Sequence, residues 1–336
     1  MPDAHYTDGG DLERATAGPD VAWRVYRERD PARIPETSWQ CADAVLAWLA
    51  MRLDADTIAR LTRCRVIVGC GVGVDRIDAA AAGRAGIAVC NVPDYGTGEV
   101  ADHALGLILA LARGIVRSHE ALRADVVAGW RSDLPPTLTR LEGARLGLVG
   151  LGPIGRAVAG RARGLGLEVV VYDPYLPAGE EHPVGGRRVD DFRAFLQEVD
   201  IVSIHAPLTA ETRGMFDATA FRAMRPGALL VNAARGAIVD TDALADALEA
   251  GVIAGAALDV LPEEPPCAGG KLIAAFQADA PWLRGRLVLT PHSAWRSPAS
   301  YAECRRKAVE TALAYLVEGR LRNCVNRDLL PGPRGA

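Results

Sequence analysis

Residues 146–155 read LGLVGLGPIG and contain the spacing G-x-G-x-x-G at Gly150, Gly152 and Gly155. An apolar run precedes the motif and a helical pattern follows it, which is the context of a dinucleotide-binding turn. Gly150 permits the tight turn, Gly152 lets the backbone approach a pyrophosphate, and Gly155 lets the helix pack closely on the strand. The stretch therefore predicts a Rossmann domain in which a helix N-terminus faces the phosphates.

An acidic residue downstream indicates which dinucleotide is bound. Asp173 ends the next apolar run, EVVVYD, 18 residues after Gly155. A carboxylate at about this distance is expected to accept hydrogen bonds from the ribose hydroxyls of NAD. Pro174 and Tyr175 follow it, and no Arg stands there to meet the 2′-phosphate of NADP. The sequence favours NAD.

Composition excludes several classes of protein. The chain has 336 residues, 49 % hydrophobic, enough for two domains with real cores. Its 38 basic and 42 acidic residues give a net charge of −4, which excludes a generally basic nucleic-acid-binding protein. Only two of the basic residues are Lys, a bias typical of GC-rich bacterial genomes.

The longest clear apolar run, Ala104–Ala112, is too short to cross a membrane, and no signal peptide is evident. The seven cysteines contain no C-x-x-C pair, which indicates reduced thiols in a cytoplasm and no cysteine metal site.

Two series of apolar runs alternate with helical patterns along the chain, which predicts an α/β fold of two doubly wound parallel-sheet domains. Val21–Tyr26 is expected to be a strand of the first series, and Glu99–Arg117 a single buried helix between the two series. Residues 262–286 are expected to form a long loop. A helix over 299–318 is expected to return to the first domain.

Charged side chains after apolar runs are candidates for the chemistry, because open α/β sheets bind ligands at the carboxyl ends of their strands. His292 follows the run LVLT and is a candidate acid, and Arg235 lies just past another run in VNAARGAIVD. Glu263 and Glu264 follow a third run, LDVLPEEPP. A carboxylate near His292 would fix its tautomer and keep it protonated, but spacing alone does not choose between the two glutamates.

Two other histidines are expected to have lesser roles. His103 lies on the apolar helical segment and is expected to be a packed residue. His205 ends the run IVSIH beside the presumed cofactor edge, and is expected to contact the dinucleotide without doing chemistry.

Five motifs together carry a resemblance to a known family. They are GCGVGVDRID (69–78), GLGPIG (150–155), VNAARGAIVD (231–240), GAALDVLPEEP (255–265) and LTPHSAW (289–295). Over residues 42–328 the chain resembles the D-isomer-specific 2-hydroxyacid dehydrogenases. Its ending, TPHSAW with NCVNRD (323–328), is most similar to the C-terminal-binding-protein branch.

The resemblance implies roles for the charged residues. Arg235 would bind the substrate carboxylate and polarise the carbonyl, and His292 would donate the proton. Glu264, which immediately precedes Pro265 as in the family motif, would pair with His292. The implied substrate contacts are Val72, Gly73 and Trp295. Gly69 stands where the C-terminal-binding-protein branch carries an Arg, so one substrate contact of that branch would be missing.

The resemblance also implies a domain arrangement and a cofactor site. The substrate domain would be flavodoxin-like and discontinuous, comprising residues 1–98 and 299–336, and residues 99–298 would form the Rossmann domain. The expected NAD-binding residues are Gly150, Gly152, Pro153, Ile154, Gly155, Asp173, Ala206, Pro207, Ala233, Ala234 and Asp259. A homodimer through the nucleotide-binding domains is expected, with an arm near residues 118–140 as the contact.

These features predict a cytoplasmic NAD-dependent D-2-hydroxyacid dehydrogenase, or 2-keto acid reductase, with no metal, nucleic-acid or membrane partner. An apolar substrate side chain is expected, because no dedicated cation for a phosphate is evident besides Arg52. The alternative is an NAD(H)-sensing binding or corepressor-like protein of the C-terminal-binding-protein type, which keeps the same three charged residues. An enzyme of formate or phosphite ranks lower, because extra basic residues beside Val72 are lacking.

Overall fold

The computed structural model describes residues 1–6, 8–48, 50–130 and 137–330. The chain divides into two compact units: Met1–Gly96 with Arg296–Ala336, the split unit, and Thr97–Trp295, the central unit. Part of the arm expected to contact a second subunit, residues 131–136, lies outside the described residues. None of the described helices is long and apolar enough to cross a membrane.

The first segment of the split unit contains three parallel strands with short helices between them. Its elements are α1 (Asp11–Ala17), α2 (Glu36–Gln40), β1 (Ala44–Ala47), α3 (Ala55–Ala59), β2 (Val66–Gly69), α4 (Ala79–Arg84) and β3 (Ala88–Cys90). The strands lie in the order β1-β2-β3, with Ile67 of the buried strand β2 opposite Val45 and Val89. Asp54 and Asp78 accept hydrogen bonds from the first turns of α3 and α4, which explains where these helices begin.

The predicted strand at Val21–Tyr26 is wrong. This segment pairs with the start of the chain, through a hydrogen bond from the Ala4 amide to the Tyr26 carbonyl (2.9 Å) and a single antiparallel bridge between Asp3 and Arg27. The pairing lies at the end of the segment, so its apolar alternation does not produce a regular strand.

The central unit is built on a seven-stranded parallel sheet. Its elements are α5 (Thr97–Ala112), α6 (Ile115–Ala124), β4 (Arg145–Val149), α7 (Pro153–Gly164), β5 (Glu168–Tyr172), β6 (Gly186–Arg188), α8 (Phe192–Glu198), β7 (Ile201–Ile204), α9 (Ala218–Ala223), β8 (Leu229–Asn232), α10 (Thr241–Glu249), β9 (Gly255–Leu258), α11 (Lys271–Gln277) and β10 (Leu287–Leu289). The strand order is β10-β9-β8-β7-β4-β5-β6. The order reverses between β4 and β7, and ligands bind at the carboxyl ends of strands at such a point. The predicted α/β fold with parallel sheets is confirmed.

Two predictions about the central unit are wrong. The expected single helix over 99–117 breaks at Gly114, whose φ of 60° is left-handed, so the buried α5 is followed by a separate helix with no buried residues. The expected loop over 262–286 contains α11, because Leu272 packs into the core and Lys271 lies 2.5 Å from Asp246 of α10.

The last helix of the chain, α12 (Pro298–Leu316), belongs to the split unit and packs on β2 and on α1. A capping box begins the helix, because the Ser297 hydroxyl accepts a hydrogen bond from the amide of Ser300 (2.9 Å). Arg305 ties the helix to α1, with its guanidinium 2.6 Å from Glu13, a carboxylate that is buried completely. The two discontinuous segments of this unit thus share one core.

Candidate active site

The glycine turn after β4 is shaped for a phosphate group. Gly150 has φ 94°, and a Cβ there would lie 2.9 Å from the backbone nitrogen of Ala206. A Cβ at Gly155 would lie 2.3 Å from the carbonyl oxygen of Gly150, so both positions require glycine. A Cβ at Gly152 would meet nothing within 4 Å, which leaves the outer face of the turn open. Helix α7 begins there with Pro153, and Ile154 follows it.

Asp173 lies directly after β5 and belongs to the same turn. Its Oδ2 accepts a hydrogen bond from the Leu151 amide (2.9 Å), and its Oδ1 accepts one from the Tyr175 amide (3.1 Å). An ionised carboxylate has about four lone-pair sites, so each oxygen keeps capacity for a ribose hydroxyl. The open turn and this acceptor fit a dinucleotide.

The backbone of His205 packs against the glycine turn. Its backbone amide donates to the Val149 carbonyl (2.8 Å), and its Nε2 lies 2.9 Å from the Ser203 hydroxyl. Burial lowers the pKa of His205 to about 4, so the ring is neutral at pH 7. Its Nδ1 is buried without a hydrogen-bond partner among the described residues. Ala206 and Pro207 follow directly, next to Gly150.

Arg235 is placed by a side chain that the sequence analysis did not single out. Asn232, fully buried at the end of β8, donates from Nδ2 to the Arg235 carbonyl (2.9 Å) and accepts at Oδ1 from the Ala234 amide (3.0 Å). A Cβ at Gly236 would lie 1.9 Å from the carbonyl carbon of Leu261. The Arg235 loop, with Ala233 and Ala234, therefore packs directly on the loop that carries Glu264.

The structure pairs His292 with Glu264 and leaves Glu263 exposed. The His292 Nδ1 lies 2.6 Å from Glu264 Oε2, and Glu264 Oε1 accepts a hydrogen bond from the Leu261 amide (3.0 Å). Burial acts to raise the pKa of Glu264, but the hydrogen bond and charge of His292, with a smaller contribution from Arg235, hold this pKa below its ordinary value. An ionised Glu264 makes Nδ1 the donor and leaves Nε2 of His292 to exchange a proton.

The backbone of His292 is strained. Its φ of 48° lies in the left-handed region, which non-glycine residues rarely adopt, and its amide donates to the Asp259 carbonyl (2.7 Å). Strain of this kind persists where the surroundings over-determine a conformation, and it is concentrated at functional sites.

Asp259 holds the loop that presents His292. Its carboxylate is 1 % exposed and accepts hydrogen bonds from the amides of Ser293 and Ala294 (both 2.9 Å) and from the Thr290 hydroxyl (2.6 Å). That hydroxyl in turn lies 3.0 Å from Nε2 of His103 on α5. Thr290 and His103 thus support the loop, and the sequence signal for Thr290 was a polar residue directly after an apolar run. That Asp259 binds NAD stays a prediction.

The predicted substrate residues are divided between the two units. In the split unit, Val72 is 42 % exposed, and its carbonyl accepts a hydrogen bond from the Asn91 side chain (2.6 Å). Gly69 lies beneath this loop, where a Cβ would be 3.2 Å from a methyl of Val74 and 3.7 Å from the Gly73 carbonyl. In the central unit, Trp295 is partly exposed, three residues after His292. Among the described residues, no cluster of His, Cys, Asp or Glu side chains is arranged to hold a metal ion.

We expect Glu264→Gln to change how stability depends on pH. A carboxyl group whose pKa is lowered by folding stabilises the protein at pH values above the pKa that the group has in the unfolded chain. This contribution is lost as the pH falls through the pKa of the group in the folded protein. The melting temperature of the variant should lie below that of the wild type at pH 7, and the difference should shrink below the ordinary pKa of 4.5. Thermal unfolding between pH 7 and 3.5 measures this, with the exposed Glu263→Gln as control. A difference that is constant with pH would contradict the ion pair.

A family model matches the larger part of the chain. Residues 105–294 match the NAD binding domain of the D-isomer specific 2-hydroxyacid dehydrogenases. This range contains the glycine turn, Asp173, Arg235, Glu264 and His292.

Curated relatives share about a third of their residues with this chain. D-3-phosphoglycerate dehydrogenase of Mycobacterium leprae is 37 % identical over 278 residues, 82 % of this chain and 48 % of the relative. D-3-phosphoglycerate dehydrogenase 3, chloroplastic, of Arabidopsis thaliana is 35 % identical over 274 residues, 80 % of this chain and 43 % of the relative. The chain spans about half the length of the curated relatives it matches.

Solved structures are similar over almost the whole chain. D-Lactate dehydrogenase from Aquifex aeolicus, complexed with NAD and lactic acid, has a TM-score of 0.83 and 26 % identity, and the match covers 94 % of this chain and 96 % of that one. The TT0316 protein from Thermus thermophilus has a TM-score of 0.74 and 36 % identity, covering 86 % and 88 %.

Proposed function

We propose that this chain, which belongs to the D-isomer specific 2-hydroxyacid dehydrogenase family, interconverts 2-keto acids and D-2-hydroxy acids with NAD. The central unit would bind the cofactor and the split unit the substrate. The observation that carries the proposal is the 2.6 Å contact between His292 and Glu264, on loops that follow β10 and β9 of the sheet with the glycine turn. The candidate proton donor and the candidate dinucleotide site therefore lie on the same sheet.

Each charged residue of the candidate site takes part in the proposed mechanism. Bound NADH supplies the hydride. The Arg235 guanidinium binds the substrate carboxylate and polarises the carbonyl, because its planar fork matches a carboxylate. His292 donates a proton from Nε2 to the forming alkoxide oxygen, and the ionised Glu264 orients the ring through its contact with Nδ1. Asp259 and Thr290 keep the His292 loop in place.

A panel of 2-keto acids tests the activity. Oxidation of NADH, followed at 340 nm with each acid, should be faster than oxidation of NADPH with at least one of them. Turnover with no acid, together with tight NADH binding, would instead favour an NAD(H)-sensing binding protein.

We expect Asp173→Ala to weaken NADH binding by about 10- to 100-fold, because a hydrogen bond to a charged group contributes about 1.5–3 kcal/mol. The same change should affect NADPH less, since Asp173 opposes the charge of a 2′-phosphate. Fluorescence titration of both cofactors measures the two dissociation constants. The control is Asp190→Ala, because Asp190 is an exposed carboxylate of the same unit that contacts Arg188. Unchanged NADH affinity in Asp173→Ala would contradict the ribose assignment.

We further propose that the substrate carries an apolar side chain. A cavity of about 580 Å³ in the split unit is lined by His5, Tyr6, Asp8, Arg296, Ser297, Pro298, Tyr301 and Arg305. Tyr6 and Tyr301 both contact the Trp48 ring, with ring centroids 6.3 and 5.2 Å apart. The Arg305 guanidinium lies 2.8 Å from Asp8 and 2.6 Å from Glu13, so its charge is already compensated.

The Tyr6 and Tyr301 rings that line this cavity would pack against an apolar substrate group. Branched or aromatic 2-keto acids should therefore give a higher kcat/KM than hydroxypyruvate phosphate. A preference for the phosphorylated acid would contradict an apolar substrate side chain and would match the substrate class in the names of the curated relatives.

A homodimer through the central unit is also proposed. Exposed apolar side chains lie on α6 and the residues after it, with Val127 86 % and Trp130 80 % exposed. Such side chains are typical of protein interfaces. In light scattering the wild type should have twice the chain mass of 35.6 kDa, and Val127→Asp should have the mass of one chain. The control, Val317→Asp on the split unit, alters a residue that is 77 % exposed. A monomeric wild type would contradict the dimer.

Cytoplasmic location remains a proposal, supported by seven free cysteines.

A further inference from the structure

Two cysteines of the split unit lie directly opposite each other on neighbouring backbone segments. Cys90 ends β3, and Cys324 lies in the segment after α12, where the two residues form an isolated antiparallel bridge. The flanking hydrogen bonds run from the Val325 amide to the Val89 carbonyl (2.8 Å) and from the Asn91 amide to the Asn323 carbonyl (3.3 Å). Cys90 and Cys324 therefore form a non-hydrogen-bonded pair.

This pairing gives the separation that a disulfide needs. In a non-hydrogen-bonded antiparallel pair the Cα atoms lie about 4.5 Å apart and the side chains approach closely. Disulfides have Cα separations of about 4.4–6.8 Å. The two thiols are close enough for Cys324 to contribute to the raised pKa of Cys90. The bond could form without movement of the backbone.

Asn326 fixes the segment that carries Cys324. Its side chain is 2 % exposed, accepts a hydrogen bond at Oδ1 from the Val89 amide (2.8 Å), and donates from Nδ2 to the carbonyls of Ile87 and Ala79 (both 3.1 Å). The Cys324 thiol also contacts Asn326 Oδ1 at 3.4 Å. The opposite positions of Cys90 and Cys324 are thus fixed by buried hydrogen bonds of the fold.

We propose that Cys90 and Cys324 are a redox modification site, oxidised by a hydroperoxide to a reversible disulfide. The Cys324 sulfur attacks one oxygen of the peroxide, the O–O bond breaks, and a sulfenic acid and one water (from hydrogen peroxide) form. The Cys90 sulfur then attacks the Cys324 sulfur, and the hydroxyl leaves as a second water with the Cys90 proton. Two thiols lose two electrons to the peroxide, and a dithiol reverses the reaction.

Accessibility orders the two steps. Cys324 is partly exposed, whereas Cys90 is 1 % exposed, and burial raises the pKa of the Cys90 thiol to about 12. The oxidant therefore reaches Cys324 first, and Cys90, which lies directly opposite it, resolves the sulfenic acid. In a reducing compartment, disulfides are usually transient and regulatory.

The other cysteines do not share this geometry. Cys70 and Cys304 are both buried, after strand β2 and on helix α12, so no strand register aligns them and a peroxide does not reach them. Cys41 and Cys267 are exposed. They provide natural controls for oxidation without a resolving partner.

The disulfide would join the two discontinuous segments of the split unit. Cys90 lies in the segment before the central unit and Cys324 in the segment after it. A crosslink that closes so long a loop restricts the unfolded chain strongly. The oxidised protein should melt about 5 °C higher than the reduced protein.

Peptide mapping tests the bond directly. The reduced full-length protein is treated with stoichiometric hydrogen peroxide, blocked with iodoacetamide and digested with trypsin. The expected product is peptide 85–113 linked to peptide 323–327, which disappears after dithiothreitol. Cys324→Ser should lose both the linked peptide and the rise in melting temperature, and Cys267→Ser should keep both.

Three results would overturn the proposal. The first is sulfinic acid at Cys324 with unlinked Cys90. The second is a linked peptide that joins Cys324 to a different cysteine, and the third is an unchanged melting temperature in the fully linked protein. Because Cys90→Ser alters a buried position, the partly exposed Cys324→Ser keeps the test interpretable if the former variant does not fold.

Discussion

Replacement of His292 by Asn is expected to lower kcat for 2-keto acid reduction by about 10²- to 10⁴-fold, the usual contribution of a positioned acid. Asn suits this test because it adopts the left-handed backbone more readily than most residues, and His292 has φ 48°. The loop should therefore keep its shape while the group that transfers the proton is lost. Steady-state kinetics at saturating NADH measures the effect.

The matched control for this variant is His182→Asn, because the His182 side chain is 77 % exposed in the same unit. Both variants should bind NADH with a dissociation constant within about twofold of the wild type, since His292 is not assigned to the cofactor. Undiminished turnover in His292→Asn would remove the assigned acid and with it the role of Glu264.

Arg235→Gln is expected to lower kcat/KM for a 2-keto acid by about 100- to 1,000-fold, because truncating one partner of a close charge pair costs about 2–5 kcal/mol. KM should rise and kcat should fall, because Arg235 is assigned both to bind the carboxylate and to polarise the carbonyl. Arg235→Lys should recover only part of the effect, since an ammonium cannot bind a carboxylate with two parallel hydrogen bonds. Arg222→Gln on α9 is the control, because Arg222 donates a hydrogen bond to an exposed hydroxyl, that of Thr219, at 3.2 Å.

A neutral substrate separates carboxylate binding from a general loss of structure. The amide of the same 2-keto acid lacks the charge that Arg235 is assigned to bind. The wild type and Arg235→Gln should therefore differ much less with the amide than with the acid. Equal losses for both substrates would show that Arg235 supports the loop rather than the carboxylate.

Local signals explain which parts of the fold could be predicted. The glycine turn, β4, α7 and Asp173 lie within one βαβ unit, so their sequence pattern is contained in about 30 residues. Helix α1 was missed because its stability depends on Glu13 binding Arg305, 292 residues later. Helix α11 was missed for a similar reason, since Lys271 is held by carboxylates of α10.

The candidate site shows the same division between local and distant information. Arg235 and His292 could be identified as candidates because they follow predicted strands directly. Sequence spacing could not distinguish Glu263 from Glu264, and only the fold brings Glu264 to 2.6 Å from His292. Asn232, Thr290 and His103 act through hydrogen bonds to loops, and their roles depend on that packing. The C-terminal-binding-protein branch, and the corepressor-like alternative linked to it, stay predictions.

The division of the split unit between the two ends of the chain also has a consequence during synthesis. Strands β1 to β3 leave the ribosome early, whereas α12, which packs on β2, follows about 200 residues later. At a synthesis rate of roughly 5–20 residues per second, the apolar face of this small sheet remains uncovered by α12 for about 10–40 s. The continuous central unit can fold during that interval, so the nascent chain would need protection mainly at its first hundred residues.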